Sequence, residues 1–383
     1  MRTLSMDLSR AYLIKIGQAY LLQSDFLAHE LSQLDKKIVI ITDSNLVNGL
    51  GKKLQQYLQE QGLCAELLAF KAGEINKTRA TKEKLEDILL AKKYGRDTCF
   101  IALGGGVVTD LVGFLAATFC RGVPVIYIPT TLLAMVDASI GGKTGVNTLY
   151  GKNLIGAFSQ PQAVFIDTET LTSLSPHEFS NGMVELIKHA VIADQDLFNQ
   201  LTSAKKIEQS DPLLIDIIYR SCLVKKSFVE QDEHELNKRQ LLNFGHTIGH
   251  AIETIENYKI SHGEAVAIGM LVEAYLSVKC GYLDESELIR LHQLLQTYQL
   301  PLVTQAFKDK KRFYHQLMSD KKNINRLPRF VLLKKNGETY HEGNTYSHIV
   351  NPLLLEKTIN WAGERFIVSQ KIILEKYCSS PQH

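Results

Sequence analysis

The chain has 383 residues, of which 45% are hydrophobic and 22% charged, and its formal net charge is +2 at pH 7. This length is too great for one compact core and suits two domains. The nearly balanced charge argues against a nucleic-acid partner or a polybasic membrane surface. We also find no apolar run long enough to span a bilayer and no signal-peptide core. The six cysteines are scattered without a CxxC pair, as in a reducing compartment, so we expect a soluble cytoplasmic protein.

Strand and helix patterns alternate through the first half of the chain. Short apolar runs predict strands at residues 12–17, 37–43, 65–74, 98–106, 124–131 and 163–169. One-faced apolar patterns between these runs predict helices at residues 50–62, 78–94 and 107–119. Buried strands that alternate with helices are typical of a parallel α/β sheet.

The second half changes character. From about residue 171 to residue 298 the periodicity is helical almost throughout, and no internal repeat or low-complexity linker interrupts it. We therefore predict an α/β domain at residues 1–168 and a helical domain at residues 169–383, with the functional site in the cleft between them.

Three histidines in the second half have the spacing of metal ligands. His246 and His250 are four residues apart in an apolar pattern, so both rings leave one face of a helix. His262 follows at a turn, where the next apolar helix begins. Glu185, on another apolar helix with Lys188 on the same face, is the best candidate for a carboxylate ligand. A single histidine is more often a helix cap or a core residue, but this set predicts a catalytic metal site with one position open for substrate.

A glycine-rich turn at residues 104–106 follows a predicted strand and opens a helix. Such a turn can place backbone N–H groups around a phosphate, although a tight structural turn is at least as plausible from the glycines alone. Polar residues follow other strands at what would be the same carboxyl-end edge of the sheet, namely Asp43, Glu74, Lys77, Thr130 and Thr131. Rossmann-like folds bind dinucleotides at this edge, so these residues favour a nucleotide site.

The stretch from 135 to 158 places polar side chains among glycines and apolar residues rather than among other surface charges. These side chains are Asp137, Lys143, Asn147, Lys152 and Asn153. Lysines in apolar surroundings usually bind an anion such as a phosphate or a carboxylate. Other cations could contribute to the same basic pocket, although each alone is more plausibly a surface residue: Lys225, Arg239, Lys321 and Lys322.

Six motifs in the chain resemble those of the 3-dehydroquinate synthases. They lie at residues 104–122, 129–147, 151–158, 181–191, 239–253 and 261–270, in the order and with the spacings of that family. The resemblance runs from about Ile41 to Leu333 and thins beyond about Lys334. It implies a dehydroquinate synthase-like fold, with an α/β N-terminal Rossmann-like NAD-binding domain and an α-helical metal-binding C-terminal domain, usually in a homodimer.

The resemblance also implies a reaction. The family converts 3-deoxy-D-arabino-heptulosonate 7-phosphate to 3-dehydroquinate and phosphate, a step of the shikimate pathway to aromatic amino acids. NAD is reduced and reoxidised within each turnover, phosphate is eliminated, and an intramolecular aldol closes the ring. A divalent metal, Zn²⁺ or Co²⁺, would be held by Glu185, His246 and His262 and would acidify the reacting hydroxyl.

The same resemblance implies roles for further residues, position by position. His250 corresponds to a proton-transfer residue. The residues around the reacting hydroxyls would be Asp137, Lys188 and Glu235, and those that bind the substrate carboxylate would be Lys225 and Arg239. The phosphate would be bound by Lys143, Asn153, Asn243, either Lys321 or Lys322, and Arg121 of the partner subunit. The positions that line NAD are Asp43, Asn45, Glu74, Lys77, Gly105, Gly106, Val107, Asp110, Thr130, Thr131, Lys143, Lys152 and Asn181.

Three other interpretations stay open. A related sugar phosphate cyclase that makes a valiolone or an amino analogue of dehydroquinate would use the same chemistry, but such relatives tend to depart from this chain at Lys143 and His250. A metal-dependent, glycerol-type alcohol dehydrogenase would share the architecture and the metal pattern, but it would release NADH. A nucleotide-binding regulatory module would leave the metal triad unused.

Overall fold

A computed structural model describes residues 1–318 and 327–367 of the chain. They form two compact units, Met1–Gly182 with Ile207–His234 and Met183–Lys206 with Glu235–His383. The first unit therefore includes a helix, Leu214–Gln231, that the sequence pattern assigns to the helical half. A domain boundary after residue 168 stays a prediction.

Strands dominate the first unit and helices the second. The strands in chain order are β1 (Arg2–Met6), β2 (Tyr12–Gly17), β3 (Lys37–Asp43), β4 (Ala65–Phe70), β5 (Thr98–Gly104), β6 (Val125–Pro129), β7 (Lys143–Thr148), β8 (Gly151–Phe158), β9 (Ala163–Asp167), β10 (Leu332–Lys335) and β11 (Glu338–Tyr340). The helices in chain order are α1 (Phe26–Leu34), α2 (Lys52–Glu60), α3 (Arg79–Ala91), α4 (Gly106–Thr118), α5 (Pro176–Ala193), α6 (Gln195–Ser203), α7 (Leu214–Gln231), α8 (His246–Ile255), α9 (His262–Lys279), α10 (Glu285–Thr297), α11 (Lys310–Met318) and α12 (Pro352–Phe366). Within the described ranges, none of these helices has the length and apolar character needed to cross a bilayer.

Seven strands of the first unit form one sheet in the order β1-β2-β9-β6-β5-β3-β4. Its neighbours pair in parallel, except that β1 runs antiparallel to β2 at one edge. β5, β6 and β9 are buried along their whole length, as is usual for central strands of a parallel sheet. Side chains such as Ile40, Ile101 and Ile126 pack with α1 and α2 in one core. The predicted parallel α/β sheet is confirmed.

The antiparallel pair of β7 and β8 forms a separate two-stranded sheet in the first unit. The sequence pattern does not predict this hairpin, because glycines and lysines interrupt the alternation of apolar residues. Gly145 and Gly156 face each other across it. A Cβ atom on Gly156 would lie 1.9 Å from the carbonyl oxygen of Thr144, so the close pairing of the two strands requires glycine there.

Helix α9 is the centre of the second unit. It contacts α8, α10, α12 and β10 and is buried along most of its length. A helix that is apolar on all sides needs such a position. Its first turn has a capping box in which Ser261 and Glu264 satisfy each other's backbone N–H groups. The cap fixes where α9 begins, and therefore fixes the position of His262, its first residue.

Candidate active site

Glu185, His246 and His262 converge in the second unit. Glu185 belongs to α5, while His246 and His262 open α8 and α9. The Oε1 atom of Glu185 lies 3.6 Å from Nε2 of His246 and 3.6 Å from Nε2 of His262. One possible ligand atom from each residue lies within 4.8 Å of the other two, a spacing that suits one divalent cation. The Oε2 atom of Glu185 pairs with the ammonium group of Lys188, one helical turn on.

The charges of this cluster also suit a metal. Glu185 is fully buried, and an isolated buried carboxylate would be costly. Burial would raise the pKa of Glu185, but Lys188 and the two histidines hold that pKa well below its usual range. Burial and the charge of Lys188 lower the pKa of His246, which keeps this ring neutral, the form that binds metals. An anionic oxygen and imidazole nitrogens therefore face one point, and this donor set fits a divalent metal.

Two glycines let α8 and α9 approach closely enough to bring the histidines together. Gly245 precedes His246 with a φ of +79°, a left-handed conformation that favours glycine. A Cβ atom on Gly269 would lie 1.9 Å from the carbonyl oxygen of Gly245, so any side chain there would separate the helices. As a result of this close crossing, the ring centroids of His246 and His262 are 5.3 Å apart.

His250 lies beside the ligand set without belonging to it. Its ring centroid is 5.4 Å from that of His246 and 6.5 Å from that of His262. It follows His246 by one turn of α8 and is half-buried. This position suits a group that moves a proton close to the metal rather than a third imidazole ligand.

Both imidazoles of the triad are held at the nitrogen that faces away from Glu185. Nδ1 of His246 lies 3.1 Å from the carbonyl oxygen of Phe244, and Nδ1 of His262 lies 3.4 Å from Oε1 of Glu253. Desolvation would lower the pKa of His262, but Glu253 and Glu185 outweigh it and raise that pKa to about 10. Without metal, His262 therefore holds a proton that a bound metal would displace.

Sequence reasoning misses two buried glutamates of these helices. Glu253 follows His246 and His250 at i+7 and i+3, so its spacing alone could have placed it on their face of α8. Glu273 of α9 is fully buried, and burial raises its pKa to about 8, partly offset by backbone N–H groups at the start of α8. For Glu273, the signal in the sequence is a glutamate inside an apolar helical pattern.

Two predicted substrate-binding residues of the second unit lie on the segment that leads into α8. Arg239 and Asn243 belong to the short 3₁₀ helix Lys238–Asn243, and Arg239 is only 2% exposed. Nδ2 of Asn243 donates a 2.7 Å hydrogen bond to Oε1 of Glu235. A buried guanidinium is suited to bind a carboxylate through two parallel hydrogen bonds. The other predicted phosphate-binding residue, either Lys321 or Lys322, lies outside the described residues.

Two other predicted substrate residues form an ion pair in the first unit. Nζ of Lys225, on α7, donates a 2.5 Å hydrogen bond to Oδ1 of Asp137, on the short helical turn Ala134–Ala138. Lys225 is buried, so its ammonium needs such a partner. The pair brings together two residues that the resemblance assigns to different parts of the substrate.

At the carboxyl edge of the sheet, the glycine-rich turn meets the end of β6. β5 ends at Gly104, and Gly105 is the N-cap residue of α4 without a side-chain cap. A Cβ atom on Gly105 would lie 2.9 Å from Cγ2 of Thr131, and the N–H of Thr130 donates to the carbonyl of Gly104 at 3.0 Å. Gly106 opens α4. The start of α4 and both threonines therefore lie together, which suits a phosphate group.

Lys77 is paired with two other predicted NAD-lining residues, Glu74 and Asp110. It is 4% exposed, and its Nζ lies 2.9 Å from Oδ2 of Asp110 and 3.3 Å from Oε1 of Glu74. Nδ2 of Asn147 donates to Glu74 at 2.8 Å. Burial raises the pKa of Asp110, with part of the effect offset by Lys77. The network ties the turn after β4 to α4 and β7.

Other predicted NAD-lining residues lie at separate points of the first unit. Asp43 ends β3, and its Oδ1 accepts a 2.8 Å hydrogen bond from the N–H of Asn45. Val107 lies in the first turn of α4, close to the glycine-rich turn. Asn181 is buried on α5. Asp43 and Val107 thus follow strands that end at the carboxyl edge of the sheet.

The β7–β8 hairpin carries the remaining predicted cations and amides. Lys143 opens β7 and is exposed, while Lys152 lies half-buried on β8. The N–H of Asn153 donates a 3.0 Å hydrogen bond to Oδ1 of Asn147. Arg121 lies elsewhere, in an exposed turn before β6, with a φ of +70°.

Comparison with protein families gives two adjoining matches. The model for the N-terminal part of 3-dehydroquinate synthase matches residues 67–181, and the model for the C-terminal part matches residues 182–323. A 3-dehydroquinate synthase from Vesicomyosocius okutanii subsp. Calyptogena okutanii is 40% identical over 361 residues, which are 93% of this chain and 99% of the relative.

Solved structures of sugar cyclases have the same fold. A 2-deoxy-scyllo-inosose synthase complexed with carbaglucose-6-phosphate, NAD⁺ and Co²⁺ has a TM-score of 0.83 and 27% identity, with 94% of this chain and 99% of that one covered. A 2-epi-5-epi-valiolone synthase from Streptomyces hygroscopicus subsp. jinggangensis, with NAD⁺ and Zn²⁺ bound, also has a TM-score of 0.83 and 27% identity, with 94% and 98% covered.

Proposed function

Because this chain belongs to the 3-dehydroquinate synthase family, we propose that it converts 3-deoxy-D-arabino-heptulosonate 7-phosphate to 3-dehydroquinate and phosphate. The observation that carries the proposal is the convergence of Glu185, His246 and His262 in a chain that matches the family over most of its length. The expected cofactors are NAD and a divalent metal, Zn²⁺ or Co²⁺. When bound, NAD supplies a reversible hydride acceptor and the metal supplies a Lewis acid for the reacting hydroxyls.

The residues of the second unit would prepare the substrate for proton loss. Glu185, His246 and His262 would hold the metal, and the ammonium group of Lys188 adds positive charge beside it. His250 lies one turn of α8 after His246, with ring centroids 5.4 Å apart, and would move the proton from the reacting carbon or hydroxyl. The buried guanidinium of Arg239 would hold the substrate carboxylate and so fix its orientation.

The first unit would bind NAD at the carboxyl edge of its sheet. The uncapped start of α4 offers N–H groups for the pyrophosphate, and Asp43 at the end of β3 offers an acceptor for a ribose hydroxyl. The Glu74–Lys77–Asp110 network would fix the neighbouring turn, because the buried ammonium group of Lys77 needs both carboxylates as partners.

A sugar phosphate cyclase with another substrate is the second candidate, favoured by the fold shared with the two solved cyclases. The two candidate functions differ in whether the substrate carries a carboxylate. We would measure phosphate release from the heptulosonate phosphate and from sugar phosphates without a carboxylate, such as glucose 6-phosphate. The proposal predicts rapid release from the first substrate alone. Release only from substrates without a carboxylate would favour the other cyclase.

Assembly and location are also part of the proposal. We expect a homodimer, and the tip of the β7–β8 hairpin supports a protein contact, because Leu149 and Tyr150 are almost fully exposed there. Arg121 of the partner subunit would then reach the phosphate. We expect the enzyme to act in the cytoplasm on a small-molecule substrate, without a nucleic-acid or membrane partner.

A further inference from the structure

We infer that Glu253 is a positioning residue of the metal centre, which acts through His262. The inference rests on the proposed metal site and adds to it a residue outside the triad. Glu253 lies on α8, two turns after His246, so both side chains leave the same face of that helix. It is only 2% exposed, and a carboxylate buried to this extent needs a charged or donor partner.

His262 provides that partner and bridges two carboxylates. Its Nδ1 lies 3.4 Å from Oε1 of Glu253, and its Nε2 lies 3.6 Å from Oε1 of Glu185. An imidazole that donates its Nδ1–H to a carboxylate presents the lone pair of Nε2 on the opposite side of the ring. Glu253 therefore selects the tautomer of His262 that can bind a metal next to Glu185, and it also holds the plane of the ring.

The two histidines of the triad differ in the acceptor that faces Nδ1. Nδ1 of His246 faces a neutral acceptor, the carbonyl oxygen of Phe244. Nδ1 of His262 faces an anion, which makes His262 the more basic ligand and adds a negative charge near a bound dication. Removal of this charge weakens metal binding even where the fold is intact, because the ligand loses both its orientation and its basicity.

Glu256, at the C-terminal end of α8, is a neighbouring glutamate with a structural role. Oε1 of Glu256 accepts hydrogen bonds from the hydroxyl of Thr304 at 2.7 Å and from the N–H of Gln305 at 2.6 Å. These contacts connect the end of α8 to the segment at residues 304–305. Glu256 therefore provides a matched control, since it is a glutamate close to Glu253 that contacts the chain rather than a metal ligand.

The test compares Glu253→Gln with Glu256→Gln in the full-length protein. The dissociation constants of Co²⁺ and Zn²⁺ are measured by competition with a chromophoric chelator, and the unfolding temperature is measured without metal. We expect Glu253→Gln to weaken binding of both ions by about 10- to 100-fold, with an altered d–d spectrum of bound Co²⁺. Glu256→Gln is expected to lower the unfolding temperature without a change in either dissociation constant.

A third variant, Glu253→Asp, keeps the charge and is expected to lose less affinity than Glu253→Gln. It also serves if the glutamine variant does not fold. Wild-type affinity in both Glu253 variants would overturn the inference, as would a loss of affinity in proportion to a loss of folded protein. If the wild-type protein itself binds neither Co²⁺ nor Zn²⁺, the proposed metal site is wrong, and this inference with it.

Discussion

A Cβ atom on Gly269 of α9 would lie 1.9 Å from the carbonyl oxygen of Gly245, the residue before α8, so the two helices approach each other at two glycines. The histidines that open these two helices face the same carboxylate as a result. The geometry of the triad therefore depends on this helix crossing as well as on the identity of the three ligands.

The first prediction concerns this crossing. Gly269→Ala should push α8 and α9 apart, lower the free energy of unfolding by about 1–3 kcal/mol and weaken metal binding. Calorimetry and chelator competition measure the two effects. Gly49→Ala is the control, because a Cβ atom there meets nothing within 4 Å. Equal stability and metal affinity in Gly269→Ala and the control would show that the crossing does not determine the site.

The second prediction tests the triad itself. His246→Ala should lose most of its metal and nearly all turnover while the protein stays folded, because one of three protein ligands is removed. Metal analysis, an activity assay and circular dichroism measure these outcomes. His177→Ala, at an exposed position, is the control. Full metal occupancy in His246→Ala would remove this residue from the ligand set.

The third prediction concerns Arg239. Arg239→Lys should raise KM and lower kcat together, because lysine keeps the charge but lacks the planar fork that orients a carboxylate. Steady-state kinetics with the heptulosonate phosphate measures both constants. Binding of metal and NAD should be unchanged. Wild-type kinetics in this variant would contradict the assignment of Arg239 to the substrate carboxylate.

The fourth prediction follows from the buried carboxyl group of Glu273. Burial raises the pKa of Glu273 to about 8 from its usual 4.5, so between these values the folded protein keeps a proton that the unfolded chain releases. The free energy of unfolding should therefore fall as pH rises through this range, by at most about 1.4 kcal/mol per pH unit. Denaturant titrations at pH 5 and pH 9 measure the change.

Glu273→Gln should remove this contribution and gain stability relative to the wild type at pH 9 more than at pH 5. Glu364→Gln, at an exposed position, should leave the pH dependence as it is in the wild type. Parallel curves for the wild type and Glu273→Gln would mean that the group does not titrate in the range expected from its burial.

The sequence predicted those features that depend on local periodicity. Period-two and apolar runs identify the strands of the parallel sheet, and the i, i+4 spacing of His246 and His250 identifies one face of α8. The sequence pattern does not predict the antiparallel strand β1 or the β7–β8 hairpin, because one lies at a sheet edge and the other is rich in glycine. Each of them pairs with a strand that is close in sequence.

The sequence predicts the metal ligands of the site but not the residues that support them. Histidines and a carboxylate have few chemical uses at such spacings, so Glu185 and His262 are recognisable. Glu253 is different, because a glutamate on a helix is most often exposed, and only the fold shows that it is buried against His262. In the same way, the sequence does not reveal that Lys225 pairs with Asp137.

The most direct test of the account uses NAD in an amount far below that of the substrate. The metal-loaded enzyme is mixed with the heptulosonate phosphate and trace NAD, and both phosphate release and NADH absorbance are followed. A cofactor that is reduced and reoxidised in each cycle predicts phosphate in large excess over NAD, 3-dehydroquinate as the product and no net NADH. NADH that accumulates in step with product, or no release of phosphate at all, would contradict the account.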